Sequence, residues 1–365
     1  MIMNIPFLDL QRIPVDVKIK LENKFSSMLH SGVFSGGKEV ENFEKKMAQR
    51  LDCPDFLACS NGTDALEIAL RLLQIGPGDK VAVPALTWVS TAEVVKILGA
   101  DIVFVDTDPD GLIDLEKLQK TTSDQLKAVI PVHLYGKMVD MEKLCSWANK
   151  NSVKVIEDNA QGFGSTLYGK AAGTWGNVGC FSFYPTKNLG ALGEAGGLVL
   201  KDQNLLEQAK RMINHGQSSR DVHDIIGKNA RIDSLQAAFL NIFLDHFDHW
   251  QYLRKNYAQI YLDKLSGLSD LALPSNCHER SHNLHLFTIQ TPERDKLKPF
   301  LKQKGIGTAV HYPKIIPEMD PYKDDGDYPV AKSISQQTLS LPLNPFLDEK
   351  EVVFVSDTIR RFFNS

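Results

Sequence analysis

Lys187 is the residue best suited to covalent chemistry. It leaves an apolar run, Ser182-Phe183-Tyr184-Pro185-Thr186, and enters a loop that holds Gly190, Gly193, Glu194, Gly196 and Gly197. An amine drawn out of a buried strand is poorly solvated, loses its proton readily and attacks carbonyls. The glycines would let the backbone come close to a bulky ligand. Ser182 could hydrogen-bond a phosphate. A lone lysine is ordinarily a solvated surface residue; this context argues the other way.

Three further segments offer matching groups. The run Val153-Lys154-Val155-Ile156 ends in Glu157-Asp158, with Gln161 just beyond. A strand there turns one carboxylate toward a crevice, where it can pair with a protonated ring nitrogen; each pKa unit of such a shift is worth ~1.4 kcal/mol. Ser60-Asn61-Gly62-Thr63-Asp64 precedes an amphipathic stretch. Gly62 permits a tight turn, Thr63 or Asp64 can cap the helix, and free backbone N–H groups at its start can cradle a phosphate. On its own such a segment is more often only a capped helix start. Asn229 and Arg231 sit before another helix, where capping is again the plain structural reading.

Short apolar runs at 56–60, 81–84, 102–105, 128–132, 153–157, 180–184 and 198–200 are expected strands. Between several of them lie helical stretches. Ala65, Ile68, Ala69 and Leu72 recur at the spacing of one buried helix face, and 91–98 and 141–149 are similar. Strands separated by helices need crossover connections, hence a large α/β domain with a mostly parallel sheet between helices. Residues 234–264 form a long helix or helix pair. An apolar run at 284–289, a helix at 295–304, a short run at 308–312 and a last helix at 349–362 make a smaller α+β C-terminal domain. The expected division is 1–245 and 246–365; the first 40 residues are hard to place.

The chain has 365 residues, 43% hydrophobic and 24% charged, with a formal net charge of -4. That length suits one large domain and a smaller one. Scattered charge gives no nucleic-acid surface. Five cysteines without a CxxC pair or metal spacing fit reduced thiols in the cytoplasm, and no metal site is expected. The start, MIMNIPFLDL, lacks a signal-peptide pattern, and no apolar run reaches the ~18 residues of a membrane span. No GxGxxG follows an expected strand, which disfavours a Rossmann-type NAD(P) protein.

In this order SNGTDAL, GDKVAVPALTWVSTAEVV, IPVHLYG, VIEDNAQGFGS, SFYPTKNLGALGEAGG, NHGQSSR and GKNARIDSLQAA resemble the DegT/DnrJ/StrS family of pyridoxal 5'-phosphate (PLP)-dependent nucleotide-sugar aminotransferases. A fainter echo continues into GIGTAVHYP, so the resemblance covers nearly the whole chain. It implies a fold-type I PLP-dependent transferase, working as a homodimer with shared active sites. Lys187 would carry PLP as a Schiff base and Asp158 would hold the pyridinium nitrogen. Gln161 would lie near the phenolic oxygen and Trp88 would stack on the ring, although a plain core tryptophan is the competing reading. Gly62, Thr63 and Ser182 would hold the phosphate, joined by Asn229 of the other subunit.

The implied reaction is ping-pong transfer of an amino group, with L-glutamate as donor, to C3 or C4 of a nucleotide-linked keto-sugar for amino-sugar or surface-polysaccharide biosynthesis. Lys187 argues against the sugar dehydratases of this fold, which typically carry histidine there. The Lys187/Asp158 pair argues against a non-catalytic PLP-binding regulator. Lys228, Ala230 and Ala195 depart from the family pattern without removing a chemical group. Which nucleotide and sugar are used is left open. Sugar contacts are expected partly from the first 40 residues and from loops near Arg220, His311 and Tyr312.

Overall fold

The computed structural model describes residues 4–121 and 124–364; the expectation about a leader falls partly on residues 1–3, outside the described residues. Every expected strand of the large domain forms: β1 (Phe56–Cys59), β2 (Lys80–Pro84), β3 (Asp101–Val105), β4 (Leu126–Val129), β5 (Lys154–Asp158), β6 (Val178–Ser182) and β7 (Gly196–Leu200). They make one seven-stranded sheet in the order β1-β7-β6-β5-β4-β2-β3. Pairing is parallel from β3 through β2, β4 and β5 to β6. Only β7 runs against its neighbours, β6 and β1. The expected mostly parallel mixed sheet is thus borne out. Three expected ends fall short, β1 by one residue at Cys59 and two others at Val129 and Ser182 rather than 132 and 184. Pro131 and Pro185 follow closely, and neither can donate to a ladder.

Both faces of the sheet are covered. β1 and β7 are buried throughout instead of alternating, as expected of strands between two helical layers. On one face Leu57, Val81, Val83, Ile156 and Leu198 pack with Ile68 and Ala69 of α3 (Gly62–Leu72) and Val94 of α4 (Ser90–Ile97). On the other, Val129 and Val155 meet Leu144 and Ala148 of the helix Met141–Lys150. Phe56, Phe181 and Val199 on that face meet Phe43 and Met47 of α2 (Lys38–Leu51).

The expected long helix is a single one, Ser234–Leu265, and the expected division at 245/246 lies inside it. Its first half joins the core around Phe243 and Phe247. Its second half, through Ala258, Tyr261 and Leu265, packs on a two-stranded antiparallel pair, Phe287–Gln290 with Thr338–Leu341, and on the last helix, Glu349–Phe363. The strand Thr338–Leu341 was not expected, and the run at 308–312 contributes only a bridge, Ala309 to Ser340. Among the described residues of the first 40, α1 (Val15–Ser31) is ended by Gly32 in the left-handed conformation that glycine adopts without strain. Among the described residues no helix is long and apolar enough to cross a membrane.

Candidate active site

The carboxyl ends of β5 and β6 and the N-termini of α3 and α4 surround a cavity of about 700 Å³. This is where open α/β sheets place ligands. Gly62, Thr63, Trp88, Asp158, Gln161, Ser182 and Lys187 all line it; Asn229 does not. Asn229 is exposed on the loop before the long helix, bridged to Asn214. His311 and Tyr312 reach the cavity, whereas Arg220 stands exposed between the short paired segments Gln217–Ser219 and Val222–His223.

Strand pleating separates the two carboxylates of β5. Asp158 turns into the cavity, and Glu157 turns away to accept from the backbone of Gly173, Trp175 and Gly176 at 2.5–2.8 Å and to pair with His133 Nε2 at 3.0 Å. Burial alone would raise the Glu157 pKa, but His133 and these amides lower it. It holds the loop after the strand. Asp158 is only 6% exposed. Thr91 Oγ1 donates to its Oδ2 at 2.9 Å and the Ala160 N–H to its Oδ1 at 3.1 Å. Burial pushes its pKa up, against these hydrogen bonds and the charge of Lys187. Such a carboxylate gains most from a proton or a cation placed beside it.

Lys187 is half-buried in the cavity wall, on a turn closed by its own N–H to Tyr184 O at 2.8 Å. Desolvation lowers its pKa to about 8, with Asp158 opposing. At pH 7 about a tenth of it would be free amine, far more than for an ordinary lysine. Gln161 accepts the Tyr135 N–H at 2.6 Å and donates to Tyr312 Oη at 3.1 Å. The Trp88 ring is 58% exposed, 5.7 Å from the Tyr312 ring. It is therefore not a core tryptophan.

Two expectations need correction. The cap of α3 is Asn61, not Thr63 or Asp64: its side chain accepts the Asp64 N–H at 2.8 Å. Thr63 instead donates to Ser90 Oγ at 2.9 Å, and Asp64 pairs with Lys228 at 2.5 Å. The glycines after Lys187 serve chain packing. A Cβ on Gly190 would meet Pro185 O at 2.5 Å, one on Gly196 would meet the Asn61 backbone at 2.4 Å, and one on Gly197 would strike the Phe56 ring. Gly62 is equally tight, with Ser182 Cβ at 2.7 Å from where its own Cβ would stand.

Thr91, Tyr135, Asn188 and His285 were missed. Thr91, Tyr135 and His285 give weak signals because each reaches the site from its own segment, and Asn188, next to Lys187, belongs to no pattern that marks its partner. The donor set fits PLP: a free indole face, a buried carboxylate, an amine of depressed pKa, and a helix start narrowed so that only glycine fits. Mostly parallel sheet, crossover helices and this lysine–carboxylate cavity define a fold-type I transferase.

The chain belongs to the DegT/DnrJ/EryC1/StrS aminotransferase family, whose model matches residues 16–360. It is 36% identical to a pleiotropic regulatory protein of Geobacillus stearothermophilus, over 99% of both chains. It is likewise 36% identical to a UDP-N-acetyl-3-dehydro-alpha-D-glucosamine 3-aminotransferase of Acidithiobacillus ferrooxidans, over 98% of this chain and 97% of that one. A crystal structure of S. venezuelae DesV in complex with a ketimine intermediate superposes with a TM-score of 0.96 at 35% identity, over 99% of both chains. The expectation of an aminotransferase is borne out.

Proposed function

We propose that this aminotransferase moves an amino group from L-glutamate to the keto carbon of a nucleotide-linked sugar, using PLP, in the making of amino sugars for surface polysaccharides. One observation carries the reading: Lys187 and Asp158 line the same cavity beneath an exposed tryptophan face. The name of the A. ferrooxidans relative supports a UDP-linked sugar and amination at C3. Lys187 would hold PLP covalently, and Asp158 would keep a proton on the pyridine nitrogen. Trp88 would cover one ring face, Gln161 would lie near the phenolic oxygen, and Gly62, Thr63 and Ser182 would take the phosphate, since all five line the cavity. Bound PLP supplies the electron sink. The free Lys187 amine would serve as general base and then acid at the substrate carbon. Asp158, with Thr91 and Ala160 fixing both of its oxygens, keeps its orientation throughout.

The working unit in this reading is a homodimer, with Asn229 reaching the phosphate of the neighbouring copy. Its exposure outside its own cavity supports that, as do exposed apolar side chains at Phe25, Leu29, Phe34, Leu192 and Ile226. Five free cysteines support a cytoplasmic setting. A second reading, a PLP-binding regulator, draws on the name of the Geobacillus relative. Incubating the protein with glutamate and a panel of nucleotide keto-sugars, and following 2-oxoglutarate, separates the two. Release that depends on one keto-sugar supports transfer; cofactor binding without release supports regulation.

A further inference from the structure

A chain of amides behind Lys187 fixes the state of one buried histidine. It begins at Asn283, whose Nδ2 donates to the carbonyls of Gln161 at 2.7 Å and Phe163 at 2.9 Å, while its Oδ1 accepts the His285 N–H at 2.8 Å. Carbonyls cannot donate, so this amide has one orientation. The Asn283 carbonyl in turn accepts from Gln251 Nε2 at 3.0 Å and Asn188 Nδ2 at 3.3 Å. That leaves Gln251 Oε1 to accept from Asn188 Nδ2 at 3.0 Å. Asn188 then has only its Oδ1 free, and this lies 3.1 Å from His285 Nδ1. The imidazole must therefore donate from Nδ1.

A neutral ring protonated at Nδ1 carries a lone pair on Nε2. His285 lines the cavity together with Lys187, and no described residue is hydrogen-bonded to its Nε2. Resting on the aminotransferase reading above, we propose that His285 is a positioning residue for Lys187: clamped by Asn188 in the Nδ1–H form, it offers a permanently neutral acceptor to the lysine when that amine is free and protonated. Asn188 follows Lys187 directly in the chain, so one turn sets both the amine and the clamp.

The charge environment agrees. Burial lowers the His285 pKa first, and the charges that reach it, Lys187, Arg254 and His311, all oppose a second positive charge. Arg254 is buried on the long helix and donates to Leu343 O at 2.8 Å. His311 is held low, to about 4, by burial and Lys187. Three carboxylates line the cavity: Asp64 is paired with Lys228, Glu194 lies on the loop after Lys187, and Asp158 acts on Lys187 and Tyr312. An imidazolium at this place would repel the lysine in the very state that has to return a proton.

Two measurements test this. The first is long-range proton–nitrogen NMR of histidine-labelled protein, with and without PLP, the signal assigned by its loss in His285→Gln. A neutral Nδ1–H pattern unchanged from about pH 6 to about pH 9 is expected. An Nε2–H pattern, or titration inside that range, overturns the inference. The second is Asn188→Asp, whose carboxylate favours the imidazolium. It should give a new acid limb in kcat near neutrality, with about tenfold loss at about pH 6 and donor KM changed less than about twofold. A pH profile parallel to that of the unmodified protein, with His285 shown by NMR to be charged, also overturns it. Turnover together with an Nε2–H ring refutes the clamp alone. The expected ring without turnover on any keto-sugar supports the clamp and refutes the function.

Discussion

Lys187 is an ammonium site that the fold opposes, and this has a sign that can be checked. Its folded pKa lies near 8, below the 10.5 of an ordinary lysine, chiefly through desolvation. The unfolded chain therefore binds more protons between those values, so the penalty is full below about pH 8 and fades as pH rises toward 10.5. Cofactor-free Lys187→Met should melt a few degrees higher than the unmodified protein at neutral pH. The gap should close above pH 10; thermal scans of the apoprotein at two pH values check it. The carboxylate has its own test. Asp158→Asn keeps the shape but loses the charge that holds the ring proton, and kcat should fall at least about a hundredfold with the fold intact by circular dichroism.

At the scale of elements, the strands were legible because each is a short, largely apolar run, buried throughout in β1 and β7, and the ordered motifs sat where those strands end. What was not legible has physical causes. The helix Val15–Ser31 buries only Val17, Leu21 and Met28 while Val15, Ile19, Phe25 and Leu29 stay exposed, so no single apolar stripe marks it. The strand Thr338–Leu341 is four residues long and half hydroxylic, with Ser340 spent on a 2.8 Å contact with His311. His285 and Thr91 are single polar residues far from Lys187 in sequence. The start of α3 carries a prediction of its own. Asn61→Ala removes its cap and should cost about 1 kcal/mol of stability. Gly62→Ala should weaken PLP binding more than tenfold, because the added methyl meets Ser182 before it meets solvent. Fluorescence titration of PLP compares the two.

For the whole molecule, the placement of Asn229 outside the cavity of its own chain predicts division of labour between copies. Variants Asn229→Ala and Lys187→Ala, each weak or inactive alone, should regain up to about a quarter of normal activity when mixed and reassembled, since one site in each mixed dimer is intact. No recovery in verified heterodimers would place each site within one chain. The same lysine anchors the most direct test of the account. Purified protein loaded with PLP, reduced with borohydride, digested and analysed by mass spectrometry should carry the reduced cofactor on the peptide containing Lys187, and Lys187→Ala should carry none. Label on another lysine, or no label on a protein that still transfers amino groups, would contradict the account.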